Sequence, residues 1–86
     1  MPYIAPERRP YFNNALRQIE KIETKGDLEY CIYFLMMRYM RDRDKNYSNH
    51  HDTTYAAVHC GSEYKRRHLD KREDVAIEKN GDITGE

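Results

Sequence analysis

The residues best equipped for binding chemistry crowd into one stretch, Glu63-Tyr-Lys-Arg-Arg-His-Leu-Asp-Lys-Arg72. Within it, Lys65, Arg66, Arg67, Lys71 and Arg72 stand against Asp70 alone, and Arg8-Arg9 add a second basic pair near the N-terminus. From residue 73 onward the sign reverses, with Glu73, Asp74, Glu78, Asp82 and Glu86 against Lys79. A guanidinium offers phosphate a planar fork of donors, which makes arginine the preferred residue for such anions. Tyr3, Tyr11, Tyr55 and Tyr64 lie near these arginines in sequence, and aromatic faces stack on bases. Arginine for phosphate and tyrosine for a base make a minimal kit for a nucleotide. The same pattern also reads as a solvated helix face paired with the acidic tail, and the residues by themselves leave both readings open.

Other chemistries find less support. His50, His51, His59 and His68 suggest a metal, yet no Cys-x-x-Cys and no His-Glu-x-x-His occurs. His51 and His59 are two helical turns apart, too far for one ion without a further element. His59 stays a candidate to stack on or hydrogen-bond a ligand, because it lies near Gly61 and Tyr64. Cys31 sits in the most apolar stretch, where a buried thiol is inert. Cys60 beside His59 makes no catalytic pair, since adjacent helical residues point apart. The carboxylates show no acid–base spacing, and no glycine loop for phosphate is present. No catalytic role and no cofactor are expected.

Composition sets the frame for these groups. Eighty-six residues make one domain. Ile, Leu, Val and Phe supply only 14 of them, too few for a generous core. The 15 basic residues balance the 15 acidic ones, so the chain lacks the net charge that would drive disorder, and eight tyrosines add half-apolar bulk. An ordered, highly charged domain that completes its core by self-association is expected. With a pI near 6.9 the chain lacks the basic excess of a general nucleic-acid binder, and a local cationic patch suits a small anion better. The longest apolar run, Cys31–Met37, is far short of the roughly 20 residues a membrane span needs. No apolar signal-peptide core opens the chain, so reduced cysteines in a cytoplasm are expected.

The expected fold class is all-α: a small three-helix domain with an extended arm and a short tail, completed by oligomerisation. Pro2, Pro6 and Pro10 make residues 1–9 an extended arm, and Pro10 opens a helix of about 10–24. Phe12, Ala15, Leu16, Ile19 and Ile22 carry its apolar period. Gly26 is expected to end it and Asp27 to cap a second helix of about 27–42. That helix is apolar nearly all round between Tyr30 and Met37, which marks it as the central element. Arg41–Asn46 reads as a charged turn. A third helix, about 49–79, is expected to bury its first half and project its second, with Gly81 as its stop. Gly61 in mid-helix implies a close helix crossing or a ligand approach. The remaining tail, 80–86, contains Asn80-Gly-Asp-Ile83, whose Ile83 is a candidate to dock.

The order of these pieces resembles a family of small phage proteins. The matching residues are Met1-Pro-Tyr-Ile-x-Pro-Glu-Arg-Arg9, Gly26-Asp-Leu-x-Tyr30, Glu63-x-x-Arg-Arg67, Glu73-Asp74, Ile77 and Asn80-Gly-Asp-Ile83. The pattern is similar to the phage anti-CBASS sponges, all-α tetramers that sequester cyclic dinucleotides such as 3′,3′-cyclic GMP–AMP without cleaving them. The resemblance implies a homotetramer in the cytoplasm of an infected bacterial host, with no membrane partner. It makes Arg8, Arg9, Arg66 and Arg67 candidates for phosphate contacts and Tyr3 and Tyr64 candidates for base stacking. Glu63, Asn80 and Asp82 become candidates to read base edges or hold the arginines. The Asp44–Asp52 connection departs from the family pattern, and Lys71-Arg72 stands where the family carries a Pro-aromatic pair. Three readings compete with a sponge. One is a phage inhibitor or adaptor that binds a host protein through the Met/Tyr-rich second helix. Another is a small nucleic-acid-binding factor that uses Tyr64–Arg72, and the third is a signal-degrading enzyme.

Overall fold

The computed structural model describes residues 2–83. Among them the chain is all-α, with no strand. After an extended start, Pro6–Arg8 forms a 3-10 turn that leads into α1, Arg9–Leu16, with Pro10 in its first turn. The extended arm therefore ends at Ala5 rather than Arg9. Two longer helices follow, α2 at Lys25–Met40 and α3 at Tyr47–Tyr64. A π-helical segment, Lys65–Leu69, joins α3 to α4, Asp70–Asn80, without a break. Gly81 stops this rod with φ +88°, a conformation open to glycine. The third helix thus runs 47–80, slightly longer at both ends than the periodicity predicts.

The first helix is the main departure from the sequence expectation of 10–24. It ends at Leu16, and Gln18 and Ile19 close it with short-range bonds back to Ala15 and Leu16. Ile19 and Ile22 fall outside it. The start of α2 bars any helix from reaching residue 24. Thr24 takes an extended conformation (φ −121°, ψ 162°), and its hydroxyl accepts from Asp27 N at 3.0 Å. The Asp27 carboxylate accepts in return from Glu23 N and Thr24 N, both at 3.1 Å. This capping box satisfies donors that a helix start otherwise leaves orphaned, and no helix can pass through its extended residue. The backbone donors hold the Asp27 carboxyl below its ordinary range. Gly26 accordingly lies inside the first turn of α2 instead of ending a helix, and Thr24 is the cap instead of Asp27. A lone α1 with no neighbour to pack on cannot outweigh so local a signal.

α2 and α3 form a helical hairpin. Its connection is built from side chains that satisfy the last carbonyls of α2: Arg43 Nε donates to Tyr39 O at 3.0 Å, and Lys45 Nζ donates to Met40 O. Asn46 caps α3 by accepting from Asn49 N at 2.8 Å, and Asn49 Nδ2 donates to Asp44 O at 3.0 Å. Met40 and Thr53, close to this connection, are the buried residues of the described chain, each 7% exposed. The second helix is central, yet most of its apolar side chains, Ile32, Phe34 and Leu35 among them, stay exposed. Cys31 is half-buried rather than enclosed. α4 projects beyond the hairpin, as the polar second half of that helix predicts. Ile83 is 92% exposed and undocked in the single chain. The rest of the tail, residues 84–86, and Met1 lie outside the described residues.

The capping box yields a test. Thr24→Ala should cost about 1 kcal/mol, a fall of roughly 4–8 °C in Tm by circular dichroism, with α2 still helical. An unchanged Tm would show that the box does not limit stability.

Candidate functional site

The N-terminal arm returns to the far end of α3, and four of the predicted residues meet there. Glu63 is the centre. Arg66 grips its carboxylate with a fork, Nε to Oε1 at 2.7 Å and Nη2 to Oε2 at 3.0 Å. The spacing explains the grip, because residues three and four positions apart are neighbours on a helix, so Arg66 and Arg67 both border Glu63. Across sixty residues of sequence, Tyr3 Oη donates to Glu63 Oε2 at 2.8 Å. Arg67 Nη1 donates to the same Tyr3 hydroxyl, also at 2.8 Å. One phenol is therefore donor to a carboxylate and acceptor from a guanidinium, which fixes its proton and the position of the arm.

The Glu63 side chain is 17% exposed, so these bonds lie partly shielded from water. The Arg66 fork and then the Tyr3 hydroxyl bring its carboxyl down from 4.5 to about 2, against partial desolvation that pushes it up. Arg66 is raised in turn by the same carboxylate. Arg67 keeps its other nitrogens without a hydrogen-bond partner among the described residues. Beside the cluster is a recess of about 360 Å³ lined by Pro2, His59, Ser62, Glu63 and Arg66. His59 thus sits at the cluster, as its sequence neighbourhood suggests.

The other predicted residues stand elsewhere. Arg9 Nε donates to Ile4 O at 2.9 Å, which folds its guanidinium back along the arm toward the neighbour of Tyr3. Arg8 lies over the Phe12 ring, 5.8 Å from its centroid. Tyr64 turns away from Tyr3; it lines the groove between α2 and α3 and packs against His68, with ring centroids 4.5 Å apart. Asn80 and Asp82 are exposed at the end of α4 and make no side-chain hydrogen bond among the described residues.

Sequence reasoning missed the structural partners of the site. Pro2 and Ser62 line the recess but carry no distinctive signal. Tyr47, His51, Tyr55 and His59 follow one another along α3 at four-residue intervals; the His51 and Tyr55 rings stack at 4.3 Å, and the flanking pairs are tilted. Gly61 meets nothing within 4 Å of an added Cβ, so no helix crosses close to it in the single chain. Among the described residues, no three His, Cys, Asp or Glu side chains converge as a metal site. Among the same residues no helix is long and apolar enough to cross a membrane.

The cluster has a defined pH response. The lowered Glu63 carboxyl contributes stability that is complete above the ordinary pH 4.5 and is lost as pH falls through about 2. NMR of the Tyr3 ring should therefore show the arm docked at neutral pH and released in strong acid. Tyr3→Phe should raise the Glu63 titration midpoint and open the arm to proteolysis. An unchanged midpoint would show that the hydroxyl does not hold the carboxylate.

Comparison with curated proteins and with solved structures returned no match. At the level of families the outcome differs, because a match spans residues 1–83 and so takes in the arm, the hairpin and the whole rod. That span contains every residue of the cluster, and the chain belongs to the family described as Domain of unknown function (DUF6899).

Proposed function

We propose that this protein sequesters a cyclic dinucleotide of the 3′,3′-cyclic GMP–AMP kind and holds it without hydrolysis. The observation that carries the reading is the Tyr3–Glu63–Arg66–Arg67 cluster, an arm locked onto a basic helix segment beside a recess. A chain of zero formal net charge spends two arginines and a tyrosine at one place, which suits a compact phosphate-bearing ligand. In this reading Arg67 takes phosphate with its unengaged donors, and Arg8 and Arg9 approach from the arm. Arg66 and Glu63 act as a positioning pair, since each already satisfies the other. His59 supplies a ring at the recess wall, and Asn80 and Asp82 would reach a base only from another copy.

The resemblance to phage sponges supports the same reading. The exposed apolar side chains call for cover, which favours an oligomer, and the resemblance makes that oligomer a tetramer in the cytoplasm of an infected host. A sponge acts by mass action, so its affinity must be high, and a nanomolar dissociation constant corresponds to about −12 kcal/mol. Two phosphates and two bases enclosed at a subunit boundary offer enough contacts for that.

Calorimetry with a panel of cyclic di- and trinucleotides tests the proposal, with the ligand recovered by heat denaturation. Nanomolar binding and intact ligand are expected. Arg67→Ala should weaken binding about 10- to 100-fold, the worth of a charge-assisted hydrogen bond, while Arg72→Ala on the projecting helix should not. Silence across the panel would overturn the reading, and recovery of a linearised product would replace sequestration with cleavage.

A further inference from the structure

His59 stands between two recesses along α3. Toward the end of the helix is the recess at the arm cluster, which His59 shares with Ser62, Glu63 and Arg66. Toward its start is a second recess of about 310 Å³, lined by His51, Asp52, Tyr55, Ala56, His59 and Cys60. With His59 as their common wall, one ligand can lie in both. The rings along this stretch are not equivalent. His51 stacks on Tyr55 at 4.3 Å and 26°, which covers one face of the phenol and holds it in place. Its other face looks toward His59, where the centroids are 6.1 Å apart and the planes tilt by 51°. A flat ring inserted between two others needs about 7 Å, twice the van der Waals separation of about 3.5 Å. Both side chains are exposed, so small turns about their χ angles supply the difference.

Asp52 gives the second recess its chemistry. It is three residues before Tyr55, so the two are neighbours on the helix surface. Thr53 and Thr54 bond back to Asn49 O and His50 O, whereas the Asp52 carboxylate has no hydrogen-bond partner among the described residues. A carboxylate accepts from two donors at once, and guanine offers two adjacent ones, N1–H and the N2 amino group. Adenine sets a ring acceptor beside its amino group and would turn that acceptor against the second carboxylate oxygen. We infer that the second recess is a guanine subsite: the base enters between Tyr55 and His59, its N1–N2 edge pairs with Asp52, and its phosphate lies toward the unengaged donors of Arg67. The inference rests on the nucleotide reading above and adds which base is selected and by which groups. It also moves base stacking from Tyr3 and Tyr64 to α3. The Tyr3 hydroxyl is fixed between Glu63 and Arg67, and the Tyr64 ring packs on His68.

NMR of the tyrosine and histidine rings reads the subsite in the native protein, with GMP and AMP as probes, beside calorimetry with cyclic di-GMP, cyclic GMP–AMP and cyclic di-AMP. GMP should shift the Tyr55 and His59 rings and bind about tenfold more tightly than AMP, and the cyclic ligands should rank by guanine content. Tyr55→Ala should weaken the guanine ligands roughly 5- to 150-fold, the worth of one stacked base, whereas Tyr55→Phe should keep their affinity. Asp52→Asn should cut the preference for GMP over AMP about tenfold, with helicity by circular dichroism unchanged. Cyclic dinucleotides that bind without a guanine preference, or without moving the Tyr55 and His59 rings, would overturn the subsite and leave sequestration standing. Cyclic dinucleotides that fail while GMP still moves these rings would support the subsite and overturn sequestration. Silence of every guanine probe would overturn both.

Discussion

Apolar side chains without an internal partner govern this structure. α2 is apolar on nearly every side, while α3 offers it one face and α1 and α4 offer none. Among the described residues burial is confined to Met40 and Thr53, close to the connection where Lys45, Arg43 and Asn49 tie down the backbone. Farther along, the two helices present small residues to large ones across an open groove. Leu and Tyr side chains left in water forfeit the burial that normally offsets backbone ordering. The secondary structure is thus specified locally, by caps and turns, whereas the tertiary structure is specified only as far as the hairpin.

Legibility in the sequence followed the same division. The all-α class and the charged turn at 41–46 could be read because they depend on period and composition. Likewise the stop at Gly81 and the projecting polar half of the long helix follow from one residue type or one charged stretch. The end of the first helix was misread because Ile19 and Ile22 keep a helical period that has no neighbour to enforce it. Thr24 and Asp27, only three residues apart, bar a helix from reaching residue 24 with three hydrogen bonds. The Arg66–Glu63 fork was latent in the Glu63-x-x-Arg-Arg67 spacing. The Tyr3 contact was not, since no periodicity reports on a partner sixty residues away. Nor does the sequence announce the π-helical turn, which arises from the balance of forces at one point along the rod.

The electrostatics of the cluster differ from those of a bare arginine patch. Two guanidiniums and one carboxylate leave a single net positive charge, and the carboxylate stays ionised at any physiological pH. Glu63 lowers the attraction for a long polyanion while orienting the groups that remain. A patch of free arginines would bind nucleic acid through counterion release and lose it in salt. A cluster already ordered by its own hydrogen bonds loses less side-chain entropy when a ligand arrives, so its selectivity rests on geometry more than on charge.

The groove and the cluster share one helix, and the register of that helix separates them. The face of α3 that lines the groove carries Thr53, Ala57, Cys60 and Tyr64. In an uninterrupted helix the next position on that face, three residues on, would be Arg67, and a charged side chain would enter the apolar groove. The π-helical segment begins at Lys65, directly after Tyr64, and its Asp70 N–H bonds Lys65 O across five residues. A wider turn rotates less per residue, so Arg67 lags behind the groove face and swings toward Glu63 and Tyr3. Lys65 Nζ meets Asp70 Oδ1 at 2.7 Å across that turn and helps hold it. One local change in winding therefore ends the apolar face of the rod and places a guanidinium against the arm.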